Sequence, residues 1–335
     1  MLRRLPFVVA SVVALGALAP VVARAAATKP VPVILDTDIG DDIDDTWALV
    51  ALLKSPELDV RLITTDYGNT PWRAKIVARL LTIAGRTDIP IGIGIKQNDD
   101  EGTQKGWVDG YDLATYKGTL KQDGVAALVD TVLASSEPLT LIAIGPCPNL
   151  KAALEREPQI AARLRLAGMF GSVRVGYDGS TKPEPEWNVK ANVAASRALL
   201  SAPWLDAVLT PLDTCGLVQL RGERYARIRD SKDPLVAALV ESYRLWCPNQ
   251  DWCVKDAEYV ASKSSTLFDT VAVYLAIERS KVVPETLGIR VSDDGMTLVD
   301  ESGPRYAWAT SWKDRDGFEE WLTTRLLAPV VLARK

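Results

Sequence analysis

Residues 31–45 read VPVILDTDIGDDIDD, an apolar run that leads into six aspartates within ten residues. The β-branched and aliphatic side chains of residues 31–35 predict a buried strand, and residues 46–53 predict a helix. The aspartates therefore fall in the loop between them. A buried strand, a polar loop and a helix form the first unit of an α/β sheet, so this stretch decides the fold.

The same alternation continues along the chain. Further apolar strands are predicted at residues 60–65, 89–95, 139–144, 166–170 and 207–212, and further helices at residues 72–84, 124–134, 149–155, 191–200 and 266–277. Residues 287–312 resemble short strands. Apolar strands that alternate with helices indicate a mostly parallel sheet with helices on both faces, so we predict one Rossmann-like α/β domain over residues 28–335. Ligands of such sheets bind at the carboxyl ends of the strands.

Composition excludes some classes of function. The chain has 335 residues, 47% of them hydrophobic, and a formal net charge of -4. Its Lys and Arg residues are scattered, so it offers no basic surface for a phosphate backbone. We expect a small-molecule ligand and no nucleic acid.

Residues 1–27 have the pattern of a signal peptide. Arg3 and Arg4 precede an apolar run at residues 5–22, and small residues at 23–27 offer cleavage sites. We expect an exported protein, periplasmic or secreted, without a stable membrane anchor. The export route stays open.

Four cysteines, at 147, 215, 247 and 253, would meet an oxidising compartment after export, where an even number favours disulfides. Cys247 with Cys253 is the simplest of the possible pairs. Zinc is disfavoured, because the chain has no histidine and its cysteines lack the C-x-x-C spacing.

The acidic loop favours a divalent cation. Like charges this close repel one another unless a cation neutralises them, and hard cations prefer carboxylate oxygens. A helix cap would need only one aspartate. An EF-hand is excluded, since its glycine and glutamate positions are Asp41 and Trp47. A phosphatase of the haloacid dehalogenase type, with Asp36 and Asp38 as its D-x-D motif, stays as an alternative.

Seven segments in order resemble the nucleoside hydrolase family of the inosine-uridine-preferring type. The loop resembles D-x-D-x-G-x-D-D, with two extra residues at Asp41 and Asp42. The other segments are TTDYGN at 64–69, AGRTDIP at 84–90, IGPCPNL at 144–150, EWN at 186–188, PLD at 211–213 and LFDTVA at 267–272.

The resemblance implies a site as well as a fold. It implies a calcium ion bound by Asp38, Asp45, Asp269 and the carbonyl of Pro148, with Asp42 as a further candidate ligand. It also implies that ribose hydroxyls are bound by Asp44, Asn69, Glu186 and Asn188. The family commonly forms dimers or tetramers, so a homo-oligomer is expected.

The implied reaction is hydrolysis of the N-glycosidic bond of ribonucleosides or related ribosides, with Asp38 as the base that activates water. Phe268 stands where the family commonly has a histidine that assists the leaving group. Three outcomes are open: a tyrosine (Tyr243 or Tyr259) supplies the proton, aromatic stacking stabilises the leaving base, or catalysis is weak. The stacking candidates are Phe268, Trp187, Trp246 and Trp252. A catalytically silent, calcium-bound nucleoside- or sugar-binding protein is therefore the alternative of a different class.

Overall fold

The computed structural model describes residues 29–256 and 258–332. The expected signal peptide, residues 1–27, lies outside the described residues. No helix in the described ranges is long and apolar enough to cross a membrane.

The described residues form a ten-stranded sheet in the order β4-β3-β2-β1-β5-β6-β7-β10-β8-β9. In this spatial order the seven pairings from β4 across to β10 are all parallel. At the other edge β8 pairs antiparallel with both β10 and β9. The predicted α/β class with a mostly parallel sheet is confirmed. The strands are β1 (Val31–Thr37), β2 (Leu58–Thr65), β3 (Ile91–Ile93), β4 (Leu120–Lys121), β5 (Leu139–Ala143), β6 (Leu164–Met169), β7 (Asp206–Thr210), β8 (Val282–Val291), β9 (Thr297–Val299) and β10 (Arg305–Trp312).

Helices cover both faces of the sheet. Successive residues of β1 point to opposite faces, so that Val33 and Leu35 join one buried cluster and Ile34 joins the other. The helices are α1 (Asp44–Leu53), α2 (Thr70–Ile83), α3 (Lys105–Val108), α4 (Gly124–Ala134), α5 (Pro148–Arg156), α6 (Trp187–Ala191), α7 (Val193–Ser201), α8 (Gly222–Arg229), α9 (Pro234–Trp246), α10 (Asp251–Val254), α11 (Tyr259–Ser262), α12 (Phe268–Ile277) and α13 (Arg315–Leu327).

The topology creates a crevice beside the acidic loop. The chain runs outward from β1 through β4, then returns to β5 on the other side of β1. The loops after β1 and β5 therefore diverge, and ligands of open α/β sheets bind at such a switch point. Where the two loops start they are in close contact, and Gly145 is required there because a Cβ would lie 3.0 Å from the backbone nitrogen of Asp38.

The structure departs from the predicted elements at the periphery. The strand expected at residues 89–95 covers only Ile91–Ile93, and α13 occupies residues for which no element was predicted. That helix buries Phe318, Leu322 and Leu326. Its apolar side chains pack against the same core cluster as α12, a long-range contact that the local pattern did not reveal.

The expected Cys247–Cys253 disulfide is present, with 5.5 Å between the Cα atoms. Cys147 and Cys215 are free and buried. Each thiol instead donates a hydrogen bond to a nearby carbonyl, Cys147 to Gly145 at 3.0 Å and Cys215 to Pro211 at 3.1 Å. One disulfide therefore forms among the four cysteines.

Candidate active site

A pocket of about 380 Å³ opens at the carboxyl ends of the central strands. Its floor is acidic and its walls are largely aromatic. The lining residues are Asp38, Asp41, Asp42, Asp44, Asp45, Thr103, Ile144, Met169, Tyr177, Glu186, Trp187, Asn188, Trp246, Gln250, Trp252, Phe268 and Asp269.

Three buried carboxylates meet at the pocket floor. Asp44 and Asp45 begin α1, Asp269 lies in the first turn of α12, and one oxygen of each lies within 4.8 Å of the others. Thr37 donates a hydrogen bond from its hydroxyl to Asp45. Helix N-termini favour negative charge, which helps to hold these groups together.

Burial raises the pKa of each of these three carboxyls well above its ordinary value, and repulsion from neighbouring aspartates raises it further. Burial likewise raises the pKa of Asp38 to about 7, against the opposing effect of Arg73. A divalent cation would remove both penalties. The donors are all carboxylate oxygens, which suits a hard cation such as Ca²⁺ or Mg²⁺ and does not suit zinc.

Arg73 of α2 holds the acidic loop from behind. Its Nη1 donates hydrogen bonds to the carbonyls of Asp38 and Ile39, the latter at 3.0 Å. Its Nε donates to the carbonyl of Tyr67 at 2.7 Å, and its Nη2 pairs with the carboxylate of Asp41 at 2.7 Å. One buried guanidinium therefore fixes the backbone that presents Asp38.

The two extra residues of the loop are tied down through their carbonyls. The carbonyl of Asp41 accepts hydrogen bonds from the Thr103 hydroxyl and from the indole N–H of Trp246, the latter at 2.7 Å. The carbonyl of Asp42 accepts one from the side chain of Gln104 at 2.9 Å. These bonds also orient Trp246 at the pocket wall.

Asp36 belongs to a separate buried network. Its Oδ1 accepts hydrogen bonds from Thr64 and from Nδ2 of Asn149, the latter at 2.9 Å. Asp66 accepts hydrogen bonds from the backbone N–H groups of Cys147 and Asn149. Asp36 is fully buried and does not line the pocket. The phosphatase alternative is wrong on this point, since its first motif aspartate must face the substrate as the nucleophile.

Glu186 and Asn188 form a polar wall opposite the aspartates. Glu186 caps α6 and accepts three backbone hydrogen bonds, from Gly171 at 2.9 Å, Asn188 at 2.7 Å and Val189 at 3.3 Å. Burial nevertheless raises its pKa to about 7. The amide nitrogen of Asn188 donates to the carbonyl of Met169 at 3.1 Å, which holds the side chain at the pocket surface.

Aromatic rings form the remaining wall. Phe268 meets Tyr177 edge-on at 6.1 Å, and Trp246 meets Trp252 edge-on at 5.6 Å, both between ring centroids. Trp187 and Trp252 are 49% and 45% exposed, so both are accessible to a ligand in the pocket. Exposed aromatic rings beside a polar floor are typical of a ligand site.

Three predicted site residues are not among the lining residues. Asn69 caps α2 by accepting a hydrogen bond from the backbone of Trp72 at 3.3 Å, and it borders a different surface depression. Tyr243 is buried behind Trp246, and its hydroxyl donates to the carbonyl of Lys263 at 3.2 Å. Pro148 is buried where α5 begins. The roles given to Asn69 and Pro148 rest on the resemblance alone, and Tyr243 was only one of the candidates for the missing proton donor.

The structure also adds lining residues that the sequence did not single out. Tyr177 is the most notable of them, because its hydroxyl accepts a hydrogen bond from the backbone N–H of Trp187 at 2.8 Å and keeps its own proton available. It lies in an irregular loop without a motif. The others are Thr103, Ile144, Met169 and Gln250.

Comparison with known families identifies the family of the chain. The family model for inosine-uridine preferring nucleoside hydrolases matches residues 33–320, which include every lining residue of the pocket. The chain belongs to the nucleoside hydrolase family. It is accordingly a hydrolase that acts on N-glycosidic bonds, as are its homologues.

Relatives of this nucleoside hydrolase include the pyrimidine-specific ribonucleoside hydrolase RihA of Escherichia coli O81 (strain ED1a). The two are 29% identical over 324 residues, which cover 88% of this chain and 98% of RihA. The corresponding RihA of Escherichia fergusonii is 28% identical over the same length and coverage. The family resemblance therefore extends over nearly the whole of both relatives.

Solved structures share the fold of this nucleoside hydrolase. The plant nucleoside hydrolase PpNRh1 superposes with a TM-score of 0.77 at 23% identity, covering 90% of this chain and all of the plant chain. A purine-preferring ribonucleoside hydrolase from Gardnerella vaginalis gives 0.72 at 18% identity, with coverage of 90% and 100%. Similar chains thus include both a pyrimidine-specific and a purine-preferring enzyme.

Proposed function

We propose that this protein is a calcium-dependent ribosidase that hydrolyses the bond between ribose and an aromatic nitrogen base. The observation that carries the proposal is the buried group Asp44, Asp45 and Asp269 at the floor of a pocket with polar and aromatic walls. A sugar bound between floor and walls would have its hydroxyls near carboxylates and its base near the rings.

The cation would be held by Asp38, Asp45, Asp269 and the carbonyl of Pro148, with Asp42 as a further ligand. The donors are buried and repel one another without a cation, which supports the assignment. When bound, the ion would lower the pKa of a coordinated water and attract hydroxyl oxygens of the sugar.

Asp38 would take the proton from the attacking water. Its carboxylate lines the pocket floor, where it can reach a water beside the sugar, and a bound cation would keep it ionised and able to accept a proton. Arg73 keeps the backbone of Asp38 fixed, so the carboxylate keeps its direction. The attacking water would meet the anomeric carbon as positive charge develops on the sugar ring.

Asp44, Glu186 and Asn188 would bind the sugar hydroxyls. All three are buried groups that line the pocket. Negative charge from Asp44 and Glu186 would also stabilise the oxocarbenium-like transition state. Asn69 was predicted to share this role, but its capping of α2 gives that assignment no support.

The leaving base would lie among Phe268, Trp187 and Trp246, with Tyr243 supporting Trp246 from behind at 5.9 Å between ring centroids. Phe268 supplies no proton. Rings at this wall can stack on a planar base, while Tyr177 offers a hydroxyl. The replacement of the family's histidine is the specific observation that favours a second candidate, a calcium-bound nucleoside-binding protein without turnover.

The test is hydrolysis of uridine, inosine and 4-nitrophenyl riboside by the mature protein, with calcium and after chelation. Free ribose or nitrophenol is measured. Calcium-dependent release from any of the three supports the ribosidase. If no riboside is cleaved while calcium still binds, the protein is a nucleoside-binding protein without turnover.

We also propose that the protein is exported after removal of residues 1–27 and that residues 28–335 form one hydrolase domain. The N-terminal charge and apolar run and the disulfide support export. A homo-oligomer is proposed because members of the family commonly form dimers or tetramers. Cell fractionation with N-terminal sequencing, followed by light scattering of the mature protein, tests all three statements.

A further inference from the structure

The pocket combines many carboxylates with an aromatic wall that contains no imidazole to donate a proton. Seven carboxylates line it, and no Lys or Arg does within the described part of the chain. The chain contains no histidine at all. The guanidinium of Arg73 is buried behind the loop and already paired with Asp41.

The aromatic wall is built to present flat faces at fixed positions. Trp246 and Trp252 each directly precede a cysteine of the Cys247–Cys253 disulfide, so one covalent link fixes both rings. Tyr259 meets Trp252 at 4.8 Å between ring centroids and supports it from outside. The indole N–H of Trp246 is bonded to the loop carbonyl of Asp41.

Electron-rich indole faces beside an acidic floor attract a cation. A positive ligand over the face of Trp is stabilised more than over any other ring. Trp187 and Trp252 are each about half exposed and line the pocket, so a ligand can reach their rings. A neutral base would gain the stacking but not this charge interaction.

We infer that the preferred substrates are ribosides of a quaternary aromatic nitrogen, that is, N-ribosylpyridinium compounds. This inference rests on the proposed ribosidase function. When the bond between C1′ and the ring nitrogen breaks, its electron pair goes to that nitrogen and cancels the positive charge. The base departs as a neutral pyridine, so no acid is needed at the position of Phe268.

The rest of the hydrolysis conserves atoms and charge. Water adds to C1′ to give ribose, and its proton passes to Asp38 and then to solvent. The products are ribose, the neutral pyridine and one proton. The base of a neutral nucleoside would instead leave as an anion unless it gained a proton. Loss of a general acid costs about 10²- to 10⁴-fold in rate.

The charge preference is tested first by binding, which does not depend on turnover. The calcium-loaded protein is titrated with 1-methylnicotinamide, a cation, and with its uncharged isostere 3-methylbenzamide, using ligand-observed NMR. The cation should bind about three- to thirtyfold more tightly. Trp252→Leu should remove most of this difference, and Trp252→Phe should retain part of it, with calcium affinity unchanged in both.

Turnover is tested with nicotinamide riboside, uridine and 4-nitrophenyl riboside. The inference predicts rapid cleavage of the pyridinium compound, slow cleavage of uridine, and a larger rise in KM for the pyridinium compound than for uridine in Trp252→Leu. Equal binding of the two isosteres, or uridine cleaved as fast as nicotinamide riboside, would overturn the inference and leave the ribosidase intact. Cleavage of none of the three would overturn the proposed function itself.

Discussion

The backbone N–H of Asp269 donates a hydrogen bond to Oδ2 of Asp44 at 3.2 Å, although the two residues lie 225 positions apart in the chain. The bond joins the N-terminus of α12 to the N-terminus of α1 beneath the pocket. It brings two buried carboxylates side by side, and the charge of Asp44 raises the pKa of Asp269. Such an arrangement is costly unless a cation occupies the space between the oxygens.

Asp269→Asn should weaken calcium binding strongly while it preserves the fold. The substitution removes a carboxylate oxygen but retains the backbone N–H that bonds to Asp44. Loss of an outer-shell partner alone costs about 10- to 100-fold in affinity, so loss of a ligand should cost more than about 100-fold. Isothermal titration with Ca²⁺ measures this, with Asp130→Asn on the exposed side of α4 as the control. Equal affinities in the two variants would exclude Asp269 as a ligand.

Without calcium, the protein should lose stability as the pH rises. Burial raises the pKa of Asp38 and of Glu186 to about 7, so both bind protons more tightly in the folded than in the unfolded chain. Their stabilising contribution is complete below about pH 4 and is lost between about pH 4 and 7. We expect Tm in a chelator to fall by more than about 4 °C across this range.

Calcium should oppose this fall, because it binds the ionised carboxylates. The stabilisation by calcium should therefore increase from pH 5 to pH 7.5 in differential scanning calorimetry. Asp38→Asn provides the control, since it removes one of the titrating groups and should flatten the dependence in chelator. A Tm in chelator that rises steadily with pH would contradict the prediction.

The sequence predicted the centre of this protein better than its rim. Residues 31–53 carry an apolar strand, an acidic loop and a helix in immediate succession, so local pattern and tertiary role agree there. The strands β1, β2, β5, β6 and β7 appear within a few residues of their predicted bounds. The mixed edge and α13 depend on long-range packing, which local periodicity does not encode.

The six aspartates of residues 36–45 look alike in the sequence, but they lie in different environments in the structure. Asp36 still belongs to β1, whose side chains alternate, and its carboxylate bonds to Asn149 away from the pocket. Asp41 pairs with Arg73, a residue of α2 that no motif marked. Tyr177 was missed for a related reason, since an irregular loop has no periodicity from which to infer a direction.

Phe268→His should restore activity toward neutral nucleosides. The side chain lines the pocket beside Asp269 and contacts Tyr177, so an imidazole there could protonate a departing base. We expect kcat/KM for uridine or inosine to rise about 10- to 100-fold, with a new pH dependence near pH 6.5. Hydrolysis of 4-nitrophenyl riboside, whose leaving group needs no acid, should change little.

Phe268→Leu is the matched control, because it removes the ring without adding an acid. It should not increase the activity on any nucleoside. If Phe268→His leaves the uridine rate unchanged although 4-nitrophenyl riboside is still cleaved, the imidazole does not reach the leaving group. A shortage of acid at this position would then not limit the reaction.

Replacement of Cys247 and Cys253 by serine should impair base recognition but not the chemical step. The link closes a loop of only six residues, so its loss should cost about 2 kcal/mol. Trp246 retains its bond to the loop carbonyl of Asp41, whereas Trp252 loses its covalent anchor and keeps only the contacts with neighbouring rings. We expect KM for aromatic ribosides to rise about three- to tenfold, the equivalent of about 1 kcal/mol of stacking, while kcat and calcium affinity stay near those of the parent protein. Steady-state kinetics of the double variant checks this prediction, with the parent protein measured beside it with and without dithiothreitol. A lower kcat at unchanged KM would contradict it, because the disulfide would then act on the catalytic floor and not on the aromatic wall.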